Sequence, residues 1–167
     1  MVTHELHINN QAIEDALTAV SDPEIPVLSV MDMGIIREVI ISDKNVHIKI
    51  TPTYSGCPAM DTIAVDIKSA IDALGYNTEV ELVLSPAWST DWLTQRGKDK
   101  LEAYGIAAPL EESLDKQALL DGERIVKCPQ CGSTNTKIIS QFGSTACKAL
   151  FGCEDCLEPF DYFKCLK

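Results

Sequence analysis

Four of the seven cysteines in this chain form two C-x-x-C pairs near the C-terminus, Cys128 with Cys131 and Cys153 with Cys156, with twenty-one residues between the pairs. Two residues between cysteines allow both sulfurs of a tight turn to face one ion, while backbone amides of the turn face the sulfurs. Two such turns supply the four soft ligands of a tetrahedral site. The pattern predicts a structural zinc ribbon, because the hairpin between the turns can vary in length.

Two further cysteines leave the ligand set open. Cys147 lies six residues before Cys153, and Cys165 lies nine residues after Cys156. Either could replace a member of the quartet or help to hold an iron–sulfur cluster, which also takes four thiolates. The favoured interpretation treats both as packed free thiols, since unligated cysteine behaves as a small hydrophobic residue. A disulfide framework is not expected, because the N-terminus does not resemble a secretory signal and one cysteine would remain unpaired.

The remaining cysteine, Cys57, stands in front of the most regular helical pattern of the chain. Apolar residues recur at helical spacing from Met60 to Leu74, and Pro58 suits the first helical position. Cys57 is therefore the expected N-cap, where unpaired amides and the positive end of the helix dipole would favour the thiolate and lower its pKa. The alternative is a small residue that fills a tight corner between strand and helix, and spacing alone does not separate the two.

Composition limits the partners that this chain can bind. Its 167 residues suit one domain plus a small satellite, and a hydrophobic content of 46% is enough for a core. A net charge of −11 disfavours nucleic acid, because the lysines near the C-terminal cysteines are scattered among acidic residues. No apolar run approaches the length that spans a bilayer. These features predict a soluble cytosolic protein whose partners are other proteins.

The elements predicted for the N-terminal part are a helix, a hairpin of two strands, a helix, a third strand and a second long helix. Asn10 is the expected cap of the first helix, which Pro23 must end near Asp22. The acidic loop that follows contains Asp22 and Glu24, and such a pair is by itself typical of a solvated turn. Strands are predicted at 35–41, 46–50 and 77–84. The second long helix is expected to carry Trp92, Leu93, Leu101 and Tyr104.

These elements predict an α/β (α+β) fold in which helices pack against a small mixed sheet of about three strands, followed by a C-terminal zinc-ribbon-like domain. The predicted boundaries are residues 1–105 for the first domain, 106–124 for a linker and 125–167 for the ribbon.

Four segments of the N-terminal part together resemble the metal–sulfur cluster biosynthetic family, which includes the SufT-like proteins. They are DPEIP at 22–26, MGII at 33–36, TPTYSGCP at 51–58 and PAWS at 86–89. The resemblance implies that Cys57 is the family's characteristic cysteine and that Asp22 and Glu24 match its acidic turn. Many relatives have leucine where this chain has Met33, a change that keeps volume and apolarity.

Segments 141–150 and 153–165 resemble the PaaD subunits of the phenylacetyl-CoA oxygenase (epoxidase) system. This resemblance implies a bacterial cytoplasmic protein of phenylacetate degradation that is not the catalytic subunit. It also implies protein partners, namely the iron–sulfur reductase subunit or the di-iron oxygenase subunit, whose metal centres the protein would help to assemble or maintain.

Two functional hypotheses follow from these residues. In the first, the protein is an assembly factor: Cys57 transiently binds iron or a cluster, Asp22 and Glu24 act as hard ligands or proton acceptors, and the zinc ribbon is a docking module. In the second, it is a structural or electron-transfer subunit that carries an iron–sulfur cluster on the C-terminal cysteines. A thiol enzyme that uses Cys57 is disfavoured, because no histidine is placed by the sequence to act as its base.

Overall fold

A computed structural model describes most of the chain, namely residues 8–111, 114, 117–121 and 125–164. The chain divides into two compact units, the first made of Met1–Trp88 with Trp92–Thr94 and the second of Ser89–Asp91 with Gln95–Lys167. The boundaries predicted at residues 105 and 124 are boundaries between independently folding domains, and they stay a prediction. Within the described residues, no helix combines the length and the hydropathy that crossing a bilayer requires.

The first unit begins with helix α1, Gln11–Ala19, whose cap is the predicted one. Oδ1 of Asn10 accepts hydrogen bonds from the amides of Ala12 (3.1 Å) and Ile13 (3.3 Å). These contacts satisfy two of the four amides that a helix N-terminus leaves without a partner. The helix ends three residues before Asp22, so the acidic loop starts in extended backbone.

Three strands and a crossover helix form the centre of the first unit: β1 Ile36–Ser42, β2 Asn45–Ile50, α2 Ala59–Asp72 and β3 Asn77–Leu82. Strand β1 is antiparallel to β2, whereas β2 is parallel to β3, to which α2 connects it. Val46, Ile48 and Ile50 alternate along β2 and are almost fully buried. The apolar stripe of α2 is buried as well. The predicted mixed sheet of three strands packed by helices is therefore confirmed.

The predicted second long helix is wrong in its first turns. Trp92 lies in a short 3₁₀ turn, Thr90–Trp92, and helix α3 spans only Gln95–Tyr104. Tertiary contacts explain the break: the guanidinium of Arg37 stacks 3.8 Å from the centre of the Trp92 ring, and the amide of Thr94 donates to the Asp32 carbonyl (2.9 Å). A continuous helix would have used that amide within its own ladder.

Gly34 makes the close approach to this turn possible. Its φ is +63°, and a Cβ atom there would lie 2.1 Å from the carbonyl oxygen of Trp92. We expect Gly34→Ala to lower the free energy of unfolding by about 3 kcal/mol, since it adds a clash with backbone to the cost of a left-handed conformation. Urea unfolding followed by tryptophan fluorescence measures this, because Trp88 and Trp92 both belong to the first unit.

Gly75 supplies the control for that experiment. Its φ is +91°, but nothing lies within 4 Å of a Cβ built on it. Gly75→Ala should therefore cost only the conformational penalty, about 1 kcal/mol. Equal losses at Gly34 and Gly75 would mean that the contact with Trp92 contributes nothing.

The second unit contains a four-stranded sheet of order β4-β7-β6-β5. Its elements are α3, β4 Ile106–Ala107, a single π-helical turn Gln117–Asp121, β5 Thr136–Ser140, β6 Lys148–Cys153 and β7 Pro159–Phe163. The aromatic rings of Phe151 and Tyr162 meet edge to face, 5.3 Å apart, in its core. The ribbon-like C-terminal domain is thus confirmed, and strand β4 pairs with β7 at the edge of its sheet.

Candidate functional site

The four cysteines of the two C-x-x-C pairs come together at one end of this sheet. Their sulfur atoms all lie within 4.8 Å of one another. The distance is 3.7 Å between the sulfurs of Cys128 and Cys156 and 3.5 Å between those of Cys131 and Cys153. A zinc–sulfur bond of roughly 2.3 Å corresponds to a tetrahedron edge of about 3.8 Å. The donor atoms are thus of the right kind and spacing to hold a single tetrahedral ion.

Tight turns at the two cysteine pairs direct backbone amides toward the sulfurs, as the spacing predicts. Gly132, with φ +78°, donates its amide to the Cys128 carbonyl (2.9 Å), closing the first turn. The amide of Ser133 donates to the Cys131 sulfur, and the amides of Cys156 and Asp155 donate to the Cys153 sulfur. Such donors stabilise thiolate charge, which a metal site requires.

The same contacts give the thiols of the quartet different pKa values. The amide of Cys156, helped by that of Asp155, lowers the pKa of Cys153 to about 7 against the cost of burial. The amide of Glu158 also lowers the pKa of Cys156, but burial and the neighbouring thiols outweigh it and raise that pKa to about 12. Binding of a cation replaces the remaining protons, so we expect affinity to rise with pH.

Of the two additional cysteines, Cys147 does not join this group. Cys147 is buried, and its sulfur lies 3.1 Å from the hydroxyl oxygen of Thr145. Its carbonyl accepts a hydrogen bond from the amide of Lys164 (2.9 Å). Cys165 lies outside the described residues.

Cys57 lies one residue earlier than predicted relative to helix α2. The helix begins at Ala59, and its cap position is Pro58, which makes no side-chain cap bond. The reason is local: the carbonyl of Cys57 accepts from the amide of Met60 in a short turn (3.4 Å), so α-helical bonding starts later. The predicted N-cap is therefore wrong by one position, although the Cys57 sulfur still accepts a hydrogen bond from the amide of Ala59.

The predicted lowering of the Cys57 pKa is wrong in sign. Burial raises the pKa of this half-buried thiol above its ordinary value, and the negative charges of Glu24 and Asp22 raise it further. Hydrogen bonds from the amide of Ala59 and the hydroxyl of Tyr54 act in the opposite direction but do not compensate. The helix terminus acts as predicted, yet desolvation outweighs it. Cys57 is consequently a protonated thiol at neutral pH.

The negative charges of the acidic loop act on Cys57, and hydrogen bonds within the loop hold its backbone. Asp22 is only 5% exposed, and its Oδ1 accepts from the amides of Glu24 and Ile25, both at 2.8 Å. One oxygen of Asp22 therefore organises the turn, which the solvated-turn interpretation did not anticipate. Among the described residues, the ribbon quartet is the sole set of three or more Cys, His, Asp or Glu close enough to hold an ion. Cys57, Asp22 and Glu24 are neighbours without forming a closed ligand set.

Two hydrogen-bonded residues of the first unit, Tyr54 and Asp32, were not predicted as site residues from the sequence. Tyr54 accepts the Cys57 amide on its carbonyl (3.1 Å) and donates its hydroxyl to the sulfur. Asp32 is fully buried: its Oδ2 accepts from the amide of Ser29 (3.1 Å), and its own amide donates to the Ser29 hydroxyl (3.0 Å). The S-x-x-D spacing is a capping signal that could have indicated the second contact. The hydrogen bond from the Tyr54 hydroxyl to the Cys57 sulfur, by contrast, corresponds to no known sequence pattern.

The raised pKa of Cys57 leads us to predict how fast its thiol reacts with an alkylating reagent. Glu24→Gln removes a negative charge near the sulfur, so the pKa of Cys57 should fall and its thiolate fraction at pH 8 should rise. We expect alkylation by iodoacetamide to become roughly two- to threefold faster, measured on the Cys57 peptide by mass spectrometry. Glu79→Gln, the same charge change on exposed β3, should leave the rate unaltered. A slower reaction in Glu24→Gln would contradict the assigned cause.

Two known protein families match this chain, one in each of its two compact units. A model described as "Iron-sulfur cluster assembly protein" matches residues 10–82, and one described as "PaaD zinc beta ribbon domain" matches residues 112–164. The first match contains Cys57 and the acidic loop, and the second contains the whole cysteine quartet.

Individual relatives agree with this division. The chain is 47% identical over 151 residues to an Escherichia coli K12 protein provisionally named as one of the subunits of 1,2-phenylacetyl-CoA epoxidase, covering 90% of this chain and 89% of that one. It is 33% identical over 89 residues, 52% of this chain, to 86% of the Fe-S protein maturation auxiliary factor YitW of Bacillus subtilis. A crystal structure of a DUF59 domain from Bacillus anthracis superposes with a TM-score of 0.51 at 27% identity, covering 55% of this chain and 89% of that domain. The chain therefore belongs to the PaaD family of phenylacetyl-CoA epoxidase proteins, in which an iron–sulfur cluster assembly domain is joined to a zinc β-ribbon.

Proposed function

We propose that this protein is a non-catalytic, cytoplasmic maturation factor that assists assembly of the iron–sulfur or di-iron centre of a phenylacetyl-CoA epoxidase complex. The name of the E. coli relative supports the complex, and the name of the B. subtilis relative supports the maturation role. The observation that carries the proposal is that the chain has two sulfur sites of different kinds. One is a closed quartet, and the other is a single half-buried thiol with carboxylates nearby.

Iron or a cluster is the cargo in this proposal, and Cys57 is the residue that binds it. The thiol loses its proton when the cargo binds. The carboxylates of Glu24 and Asp22 lie near enough for their negative charge to act on the sulfur and to attract the metal ion. Hydrogen bonds from Tyr54 and Ala59 then stabilise the negative sulfur. One thiolate with a few oxygen donors leaves the coordination shell incomplete, so the client can supply the remaining ligands and take the cargo away.

In the same proposal the ribbon quartet holds a permanent structural ion and the ribbon docks the client protein. Four thiolates in tetrahedral arrangement suit zinc or a single iron, and the zinc ribbon of the family favours zinc. The client is the reductase or the di-iron oxygenase subunit. An acidic surface of net charge −11 is compatible with a protein partner and not with nucleic acid.

The second candidate is a structural or electron-transfer subunit that carries an iron–sulfur cluster on the C-terminal cysteines. The sulfur spacing favours the first candidate: in a cluster of several irons the four cysteines are divided among at least two irons, whereas these four sulfurs lie within 4.8 Å of one another, as around one ion. Metal analysis and a visible spectrum of anaerobically purified protein separate the two. About one zinc per chain without visible absorption supports the ribbon, while charge-transfer bands with acid-labile sulfide support the cluster.

A further inference from the structure

Two residues of the ribbon, one in each cysteine turn, contact the quartet and also each other. The amide of Ser133 donates to the Cys131 sulfur, and the amide of Asp155 donates to the Cys153 sulfur. Their side chains then meet, because the Ser133 hydroxyl donates to Oδ2 of Asp155 (2.5 Å). Oδ1 of Asp155 accepts from the side-chain amide of Asn135 (2.7 Å). The carboxylate of Asp155 thus links two turns that are otherwise separated by twenty-one residues of chain.

Further bonds make this link, which we call the Asp155 clamp (Ser133, Asn135 and Asp155), rigid. The amide of Asn135 donates to the Ser133 hydroxyl oxygen (2.9 Å), so that hydroxyl is held as acceptor and donor at once. The amide of Glu154 donates to the Asn135 carbonyl (2.8 Å). Each clamp residue is therefore fixed by at least two contacts, and the donors and acceptors agree in direction.

The clamp lies on the side of the quartet from which an ion would leave. Cys131 is the exposed member of the quartet, whereas Cys128 and Cys153 are buried. The sulfurs of Cys131 and Cys153 are also the closer pair, at 3.5 Å. Release of an ion needs one thiolate to detach first, and the exposed Cys131 is the ligand that a competing chelator reaches. Detachment of Cys131 requires its turn to move, and that turn is tied to Asp155 through Ser133.

We propose that Asp155 is a positioning residue that locks the two cysteine turns together through Ser133 and Asn135 and thereby sets how slowly the ribbon releases its ion. This inference rests on the proposed metal binding by the quartet. Partners in the outer shell of metal sites typically alter affinity by about 10- to 100-fold. Since the clamp is at the surface, the lower end of that range is expected.

The test is the rate at which full-length, zinc-loaded protein transfers zinc to an excess of a chromophoric chelator. Asp155→Ala should release zinc about tenfold faster than wild type. Glu154→Ala is the matched control: it removes an acid from the same turn, beside the same ligand, and its carboxylate pairs with Lys137 (3.1 Å). Its release rate should stay near that of wild type.

Further measurements separate positioning from simple loss of structure. Cobalt-substituted Asp155→Ala should keep the absorption bands of a tetrahedral four-thiolate site, since all four ligands remain. Ser133→Ala should also speed release. The double variant should be little faster than Asp155→Ala alone, because both substitutions remove the same hydrogen bond between Ser133 and Asp155.

Equal release rates for Asp155→Ala and Glu154→Ala, or additive effects in the double variant, would overturn the clamp while leaving the metal centre intact. If Asp155→Ala does not fold, the single Ser133→Ala variant decides, and a wild-type rate there overturns the clamp. A wild-type chain that takes up no zinc would overturn the metal centre and the clamp together.

Discussion

Cys128→Ala is expected to abolish metal binding by the ribbon and to unfold that part of the chain. Cys128 is 1% exposed and belongs to the ribbon core, so its removal takes away a ligand and leaves a defect among packed residues. Structural zinc typically contributes about 10–16 kcal/mol of apparent binding free energy at neutral pH, which a core this small cannot replace. Metal content should fall from about one ion per chain to nearly none, measured by plasma mass spectrometry.

Cys147→Ala is the matched control for this experiment. Cys147 is also buried, but its sulfur contacts Thr145 and lies outside the quartet. The variant should keep its metal and lose about 1 kcal/mol of stability from the small cavity. Limited proteolysis distinguishes the two variants, because cleavage within 125–164 should accelerate in Cys128→Ala alone. Retention of metal in Cys128→Ala, or its loss in Cys147→Ala, would contradict the assigned ligand set.

The second large effect concerns the client. Cys57→Ala should leave the protein folded and its ribbon metal in place, because Cys57 is half-buried and outside the quartet. An epoxidase complex produced together with this variant should nevertheless lack most of its iron, since the single thiol that would receive the cargo is gone. Iron and acid-labile sulfide are measured on the purified reductase and oxygenase subunits, alongside epoxidase activity.

Ser55→Ala controls for disturbance of the turn that carries Cys57. Ser55 is exposed in the same turn, two residues away, and should have no effect on the iron content of either subunit. Cys57→Ser tests the need for sulfur, because it keeps the size of the side chain but offers a harder donor that is rarely deprotonated. Normal iron in both subunits with Cys57→Ala would rule out this role, whatever the state of the ribbon.

The raised pKa of Cys57 changes the interpretation of that site. A permanently ionised thiolate would bind metals and oxidants without discrimination, whereas a protonated thiol binds when a cation displaces the proton. The carboxylates of Glu24 and Asp22 both oppose ionisation of the empty site and attract a cation. The two effects act together, because the same negative charge disfavours a second anion and favours a metal ion.

Properties that depend on neighbours in the sequence could be predicted without the structure. The cysteine turns are four-residue units, the alternation of β2 specifies its buried face, and Asn10 caps the helix that directly follows it. In each case the contacts that matter lie within a few residues, so local spacing contains the necessary information. The individual strands of the three-stranded sheet and the two cysteine turns of the ribbon were predictable for the same reason, whereas their pairing joins distant residues such as Asn45 and Asn77.

Tertiary structure alone decided the features that depend on distant residues. The pKa of Cys57 is set by burial, by two carboxylates in a loop more than thirty residues earlier and by a hydroxyl in its own turn, and no local sequence pattern contains that balance. The break before α3 depends on Arg37 and Asp32, and the Asp155 clamp joins residues that are twenty-two positions apart. Desolvation and long-range hydrogen bonds exist only once the chain has folded, so spacing could identify the sulfurs but not their electrostatic environment.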